Sequence, residues 1–253
     1  MFAKADILAG FNTIPLTPSR VIMVHSSYKS LGGVEGGADT VIDALLEFVG
    51  PKGTVLFPTF NFHEWTERHY FDISETPSKM GIIGETARQR EDAIRTPHPI
   101  FSFAAFGKEK GAFSKCDDVR AYGDDSVFGL FHRMNGVIVS IGLHWNSTFS
   151  MHHYVEFHTG CDYRRTKHFS GIYVGYDGKP TVKTYTMHVR KNFDVITDIE
   201  QGMDELFAKG VIRETKVGTA KVHYCPAQDF FENMSIIVKK NPEKLHRIKT
   251  HSF

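Results

Sequence analysis

Apolar positions recur along this chain at two periods. In the first segment Ile7, Leu8, Phe11 and Ile14 lie at helical spacing, and "LTPSR" ends that run before the apolar stretch Val21 to His25, which predicts a buried strand. The loop "SSYKSLGGVEGG" then leads into "ADTVIDALLEFVG", where Val41, Leu45 and Phe48 stack on one side of a helix and Gly50 closes it. Thr54 to Phe60 reads as a second strand, broken at Pro58. It opens into "NFHEWTERHYFDISETPSK", a polar and aromatic stretch read as a long loop, and loops of that length in compact domains serve binding or act as lids. A helix "GIIGETARQR", a turn "RTPHP", a strand "IFSFAAFG", a short helix near "SVFGLFHRM", an Asn135-Gly136 turn and the strand "VIVSIGL" follow.

Strands alternating with helices predict an α/β fold around a largely parallel or mixed sheet, with ligand sites at the carboxyl ends of strands. From about residue 170 the pattern changes. "GIYVGYDGKPTVKTYTMHVR" alternates around Asp177-Gly178 like an antiparallel hairpin, and "DIEQGMDELFAKG" and "PAQDFFENMSIIVKKNPEKL" read as helices around another β pair. No linker, repeat or low-complexity tract interrupts the chain, so residues 1–253 are read as one domain with an appended α+β part.

Composition narrows the classes. A formal charge of +1 on 253 residues, with 41% hydrophobic and 23% charged, gives no bulk electrostatic case for nucleic acid or membrane partners. Cys116, Cys161 and Cys225 are odd in number and form no CxxC pair, which fits a reducing compartment. The first residues lack the apolar region of a signal peptide, and no run approaches the roughly 18 residues of a membrane span, so a cytoplasmic protein is expected, monomer or homodimer. The unusual count is 14 histidines, groups that titrate near neutral pH.

Three stretches could carry chemistry. "HSSYKSLGGVEGGADT" joins a strand end to a helix start through glycines, an arrangement suited to phosphate or pyrophosphate, although it matches neither GxxxxGK[ST] nor GxGxxG. In "RTPHPIFSFAAFG", His98 is fixed between prolines and Ser102 lies on the strand. The densest titratable cluster is "LHWNSTFSMHHYVEFH", just past an apolar strand. On a helix, His153 and Glu156 share a face at i, i+3, and His152 and Glu156 nearly the same one at i, i+4, so spacing does not choose between the histidines. Either pair gives an imidazole base with a carboxylate to orient it, and Ser147, Thr148 and Ser150 add hydroxyls. A zinc-dependent hydrolase is the rival use of this cluster, but HExxH is absent; GxSxG is absent too, which argues against a serine hydrolase. Downstream, "YRRTKH" brings Arg164, Arg165 and Lys167 close in sequence to the cluster, where they could face an anionic group.

The blocks "VHSSYKSLGGVEGGADTVIDALLEFVGPKGTVLFPTF", "MGIIGETARQREDAIRTPHPIFSFAAFG", "YGDDSVF", "SMHHYVE" and "VGTAKVHYCPAQDFFE" run in the order seen in the aminoglycoside 3-N-acetyltransferase family, which this chain resembles from about residue 5 to about residue 245. The resemblance implies a three-layer α/β/α sandwich that moves an acetyl group from acetyl-CoA to an amine of an amino sugar. It implies His153, rather than His152, as base with Glu156. It places His25, Ser26, Ser27, Gly32, Gly33, Val34, Gly36 and Gly37 at the coenzyme A site, with His98, Ser102 and Ala104 on the same side. Thr148, Ser150 and the Ser26/Ser27 loop are candidates to stabilise the oxyanion. For the acceptor, the candidates are Thr59, Asn61, His63 and Glu64 on the long loop, together with His152, Arg164, Arg165 and Lys167.

The chain departs from the family pattern in carrying a second histidine, His152, and a basic rather than acidic neighbourhood. An aminoglycoside is a polycation, so the basic run places a nucleotide-linked amino sugar ahead of an aminoglycoside as acceptor. A metal-dependent hydrolase and a coenzyme A-binding protein without catalysis are the alternatives.

Overall fold

The structure is a computed structural model and describes residues 1–249; the side chain of Ser147 also lies outside the described residues. In chain order the helices are α1 (Lys4–Phe11), α2 (Gly37–Val49), α3 (Phe62–Thr66), α4 (Ile82–Gln89), α5 (Lys110–Phe113), α6 (Val127–Arg133), α7 (Met151–Thr159), α8 (Glu200–Ala208) and α9 (Ala227–Lys240). The strands are β1 (Val21–Ser26), β2 (Thr54–Pro58), β3 (Tyr70–Asp72), β4 (Ile94–Arg95), β5 (Phe103–Gly107), β6 (Val137–Ile141), β7 (Arg164–Val174), β8 (Pro180–Arg190), β9 (Val195–Thr197), β10 (Arg213–Val217), β11 (Ala220–Pro226) and β12 (His246–Ile248).

Seven strands form the main sheet in the order β10-β11-β6-β1-β2-β5-β4. Its three central strands, β6, β1 and β2, are parallel, and all the others are antiparallel to their neighbours. The sheet is therefore mixed, with the parallel part at its centre. Those central strands are buried along nearly their whole length, which is why they read as unbroken apolar runs rather than alternating ones. Ile22, Val24, Val55 and Val139 meet α1, α2 and α4 on one face, while Met23, Leu56 and Ile138 meet α6, α7 and α9 on the other, giving three layers.

Two expectations need correction. The stretch after β2 is not a structureless loop: Asn61 caps α3 by accepting from Glu64 N–H at 3.2 Å, and β3 pairs with β7. The β pair near the C-terminus is not appended either, because β11 pairs with β6 and extends the main sheet. The hairpin around Asp177-Gly178 does form, as β7 and β8 in an antiparallel register from Arg164↔Arg190 to Val174↔Pro180, so Arg164 to His168 of "YRRTKH" are strand. The three cysteines are free thiols. Among the described residues no helix is long and apolar enough to cross a membrane.

Candidate active site

Helix α7 starts just past the carboxyl end of the central strand β6, and its entry is strained. Phe149 sits at φ 50°, a conformation bulky residues avoid, and is held there fully buried between the rings of Trp145 and Phe230. His152 steadies the same turn through Nδ1, which lies 3.0 Å from the carbonyl of Phe149. A carbonyl only accepts, so Nδ1 carries the proton and Nε2 is left with a lone pair. That Nε2 is buried and has no hydrogen-bond partner.

His153 makes the complementary contact. Its Nδ1 donates to Glu156 Oε2 at 2.6 Å, again leaving a free lone pair on Nε2. Glu156 has no solvent exposure and is held from three sides: Tyr163 donates its hydroxyl to Oε1 at 2.5 Å, while His153 and Arg164 Nε, the latter at 2.8 Å, both reach Oε2. The Arg164 guanidinium is anchored in turn by the His188 carbonyl at 3.0 Å and Thr197 Oγ1 at 2.7 Å. Tyr122 closes the cluster, its ring 5.6 Å from that of His153 and its buried hydroxyl unpartnered.

Burial sets the protonation states. It pushes His153 below its ordinary value, with Glu156 opposing the shift and Arg164 reinforcing it, and it drives His152 down to about 3 with help from His153. Burial alone would raise Glu156, but the flanking imidazoles and Arg164 outweigh it and hold the carboxyl well below the usual carboxylate range. A neutral His153 beside an ionised, fixed carboxylate has the arrangement of a general base, with its remaining lone pair at Nε2.

The donor set does not fit a resident metal ion. Ligand atoms of His152, His153 and Glu156 lie within 4.8 Å of one another, but both carboxylate oxygens are already engaged and a buried guanidinium stands beside them.

A second feature lies at the carboxyl ends of β1 and β2. A cavity of about 160 Å³ is lined by His25, Ser26, Pro58, Lys79, Met80 and Leu143. His25 Nε2 is buried without a partner, and burial lowers this imidazole to about 4, so it is neutral. The glycine turn stands nearby in sequence: Gly32, Gly33, Gly36 and Gly37 all have positive φ, and a Cβ on Gly32 would lie 2.5 Å from Thr219 Oγ1.

Several expected site residues have other partners. Val34 and Ala104 are buried in the apolar core. Thr59 and Ser102 bond each other at 2.9 Å and surround the buried Arg95 guanidinium, and Asn61 binds the Pro77 carbonyl besides capping α3. His98 Nδ1 accepts from the N–H groups of Ile100 and Phe101, a turn-stabilising role. His63 pairs with Glu67, and Glu64 with Arg68. Thr148 is buried with an unpartnered hydroxyl, while Ser150 and Ser27 are half-buried. Arg164 faces Glu156. Arg165 and Lys167, on the other face of β7, line a cavity of about 260 Å³ with Phe169, Val189, Arg190 and Lys191. Tyr122 and Tyr163 were not singled out from the sequence, because nothing local ties either phenol to α7.

A family model described as aminoglycoside 3-N-acetyltransferase matches residues 23–238. The chain belongs to that family. It is 28% identical over 258 residues to an aminoglycoside N(3)-acetyltransferase III of Salmonella, covering 90% of this chain and 88% of the relative. It is 27% identical over 171 residues to the YokD protein of Bacillus subtilis, described as aminoglycoside N(3')-acetyltransferase-like, and 30% identical over 153 residues to aminoglycoside N(3)-acetyltransferase VII of Streptomyces paromomycinus. Those two matches span 63% and 52% of the relatives' own lengths. Among solved structures, AAC-IIIb in a binary complex with CoASH superposes with a TM-score of 0.82 at 20% identity over 99% of both chains. AAC-VIa bound to sisomicin gives 0.81 at 21% identity, covering 94% of this chain and 98% of that one. The fold is therefore shared from end to end.

Proposed function

We propose that this protein transfers the acetyl group of acetyl-CoA directly to the amine of an amino sugar, with His153 as general base. The observation that carries this reading is the pinned tautomer of His153: Nδ1–H is committed to Glu156, so Nε2 can only accept. Acetyl-CoA, when bound, supplies an acyl carbon activated by its thioester. As the C–N bond forms, Nε2 takes the proton that the attacking nitrogen must shed, and it returns that proton to the sulfur as the C–S bond breaks. Glu156 keeps the ring oriented and balances its transient charge, held in place itself by Tyr163 and Arg164.

The coenzyme reading is supported by the cavity at the ends of β1 and β2, where Ser26, Lys79 and the unpartnered His25 Nε2 offer polar contacts, and by the CoASH complex of a structural relative. For the acceptor, the names of the relatives and the sisomicin complex favour an aminoglycoside. A nucleotide-linked amino sugar is the second reading. It is favoured by Arg165, Lys167 and Lys191, which have no carboxylate partner among the described residues and line one cavity.

Release of free thiol from acetyl-CoA, measured against aminoglycosides and UDP-, dTDP- and GDP-linked amino sugars, tests both readings. Turnover with one panel names the acceptor class, and His153→Ala should lower that rate by at least about a hundredfold. Thermal stabilisation by coenzyme A with no thiol release on either panel would leave a binding protein and overturn the catalytic reading.

A further inference from the structure

Glu156 presents a problem that the base itself does not solve. A buried carboxylate 2.6 Å from an imidazole favours the imidazolium, and a protonated His153 could not act as a base. An opposite charge on the far side of the carboxylate removes that bias, and Arg164 stands there. Its Nε reaches Oε2, the same oxygen that accepts from His153.

We infer that Arg164 is a positioning residue that keeps His153 unprotonated and ready, acting through the carboxylate of Glu156. The inference rests on the proposed role of His153. Three observations support it.

The guanidinium cannot swing away, since His188 O and Thr197 Oγ1, on β8 and β9, hold its two terminal nitrogens. It is nearly as buried as its partner, the two side chains being 5% and 0% exposed, so solvent does not screen the pair. Finally, the charges sum to zero only while His153 is neutral. The groups facing His153 are His152 and Glu156 on α7, Tyr163 just before β7 and Arg164 at its start, His188 on β8, and Tyr122 from the loop before α6. Burial lowers His188 to about 4 and His152 to about 3 and pushes Tyr122 well above 10, so only Glu156 and Arg164 are charged near neutral pH.

Removing the cation leaves one negative charge shared by His153 and Glu156, and that pair then binds a proton more tightly, whichever of the two holds it. Arg164→Gln should therefore move the acidic limb of the kcat/KM profile up by about one pH unit or more. Activity should fall about tenfold or more near pH 6 and recover to within a few-fold of wild type near pH 9. Arg164→Lys, which keeps the charge, should restore the wild-type limb. A uniform loss at every pH, or an unmoved limb, would overturn the inference and leave Arg164 a structural residue.

Should Arg164→Gln fail to fold, Thr197→Val loosens one anchor of the guanidinium and should shift the limb in the same direction by less; no shift counts against the inference. Imidazole NMR of the intact protein reads the titration of His153 without turnover. A raised midpoint in Arg164→Gln supports the role of Arg164 even if no acceptor is ever acetylated, and an unchanged midpoint refutes it even if the enzyme is active.

Discussion

At the scale of single residues, the adjacent histidines divide their work by what each Nδ1 touches. His152 is tied to the strained turn at Phe149 and His153 to Glu156, so the first supports backbone and the second has the geometry asked of the proposed base. His152→Leu keeps an apolar group of similar volume but loses the bond to the Phe149 carbonyl. It should lower stability by about 1 kcal/mol in denaturant titration and leave kcat within about tenfold of wild type. A loss as large as that of His153→Ala would mean that His152 contacts the reacting groups. The His/Glu cluster was legible in the sequence because i, i+3 and i, i+4 spacing on a helix is a local rule, but that spacing left His152 and His153 equal and only the family resemblance implied His153. Tyr163 and Arg164 were not legible, because their contact with Glu156 depends on how β7 folds back onto α7. Arg164 and Arg165 look equivalent in a string of basic residues, and only the two-residue period of a strand separates them.

At the scale of elements, the helix that carries the proposed base, α7, is short and set by its ends. It enters through Phe149 at φ 50° and leaves through Gly160 at φ 74°, whose N–H bonds back to the Glu156 carbonyl. Nothing lies within 4 Å of a Cβ placed on Gly160, so a side chain there meets no clash and only backbone strain. Gly160→Ala should therefore cost about 1 kcal/mol of stability, read by calorimetry, with a larger effect on kcat than on KM because the residues that follow carry Tyr163 and Arg164 onto Glu156. The central strands and the hairpin could be read in advance, since β1, β2 and β6 are continuous apolar runs and β7 and β8 flank an Asp-Gly turn. The segment after β2 could not, because α3 is five residues long and owes its existence to the Asn61 cap and to Trp65, which is fully buried and bonds the Phe169 carbonyl on β7.

At the scale of the whole molecule, burying neutral histidines makes stability depend on pH. Burial holds His25 and His98 at about 4 and His152 at about 3, all below an unfolded value of 6.5. Between those limits the unfolded chain binds more protons than the folded one, so their contribution is complete above about pH 6.5 and is lost as pH falls toward 4. Each contributes a slope of up to about 1.4 kcal/mol per pH unit in that window. Glu156, depressed below 4.5, adds to the loss at the acidic end. The unfolding temperature should therefore fall steeply from about pH 6.5 to pH 4.5, and His98→Gln should flatten the slope; a pH-independent midpoint would contradict this picture. The β7–β8 ribbon also links distant parts of the chain. Its register runs from Val174↔Pro180 beside the Asp177-Gly178 turn to Arg164↔Arg190 beside Glu156, a span of roughly 35 Å. A strand that slips by one residue turns every side chain over, so the hairpin turn decides which of two neighbouring arginines meets Glu156. Most surface loops tolerate lengthening, but an odd insertion at that turn would reach the proposed base and its carboxylate from the opposite end of the ribbon.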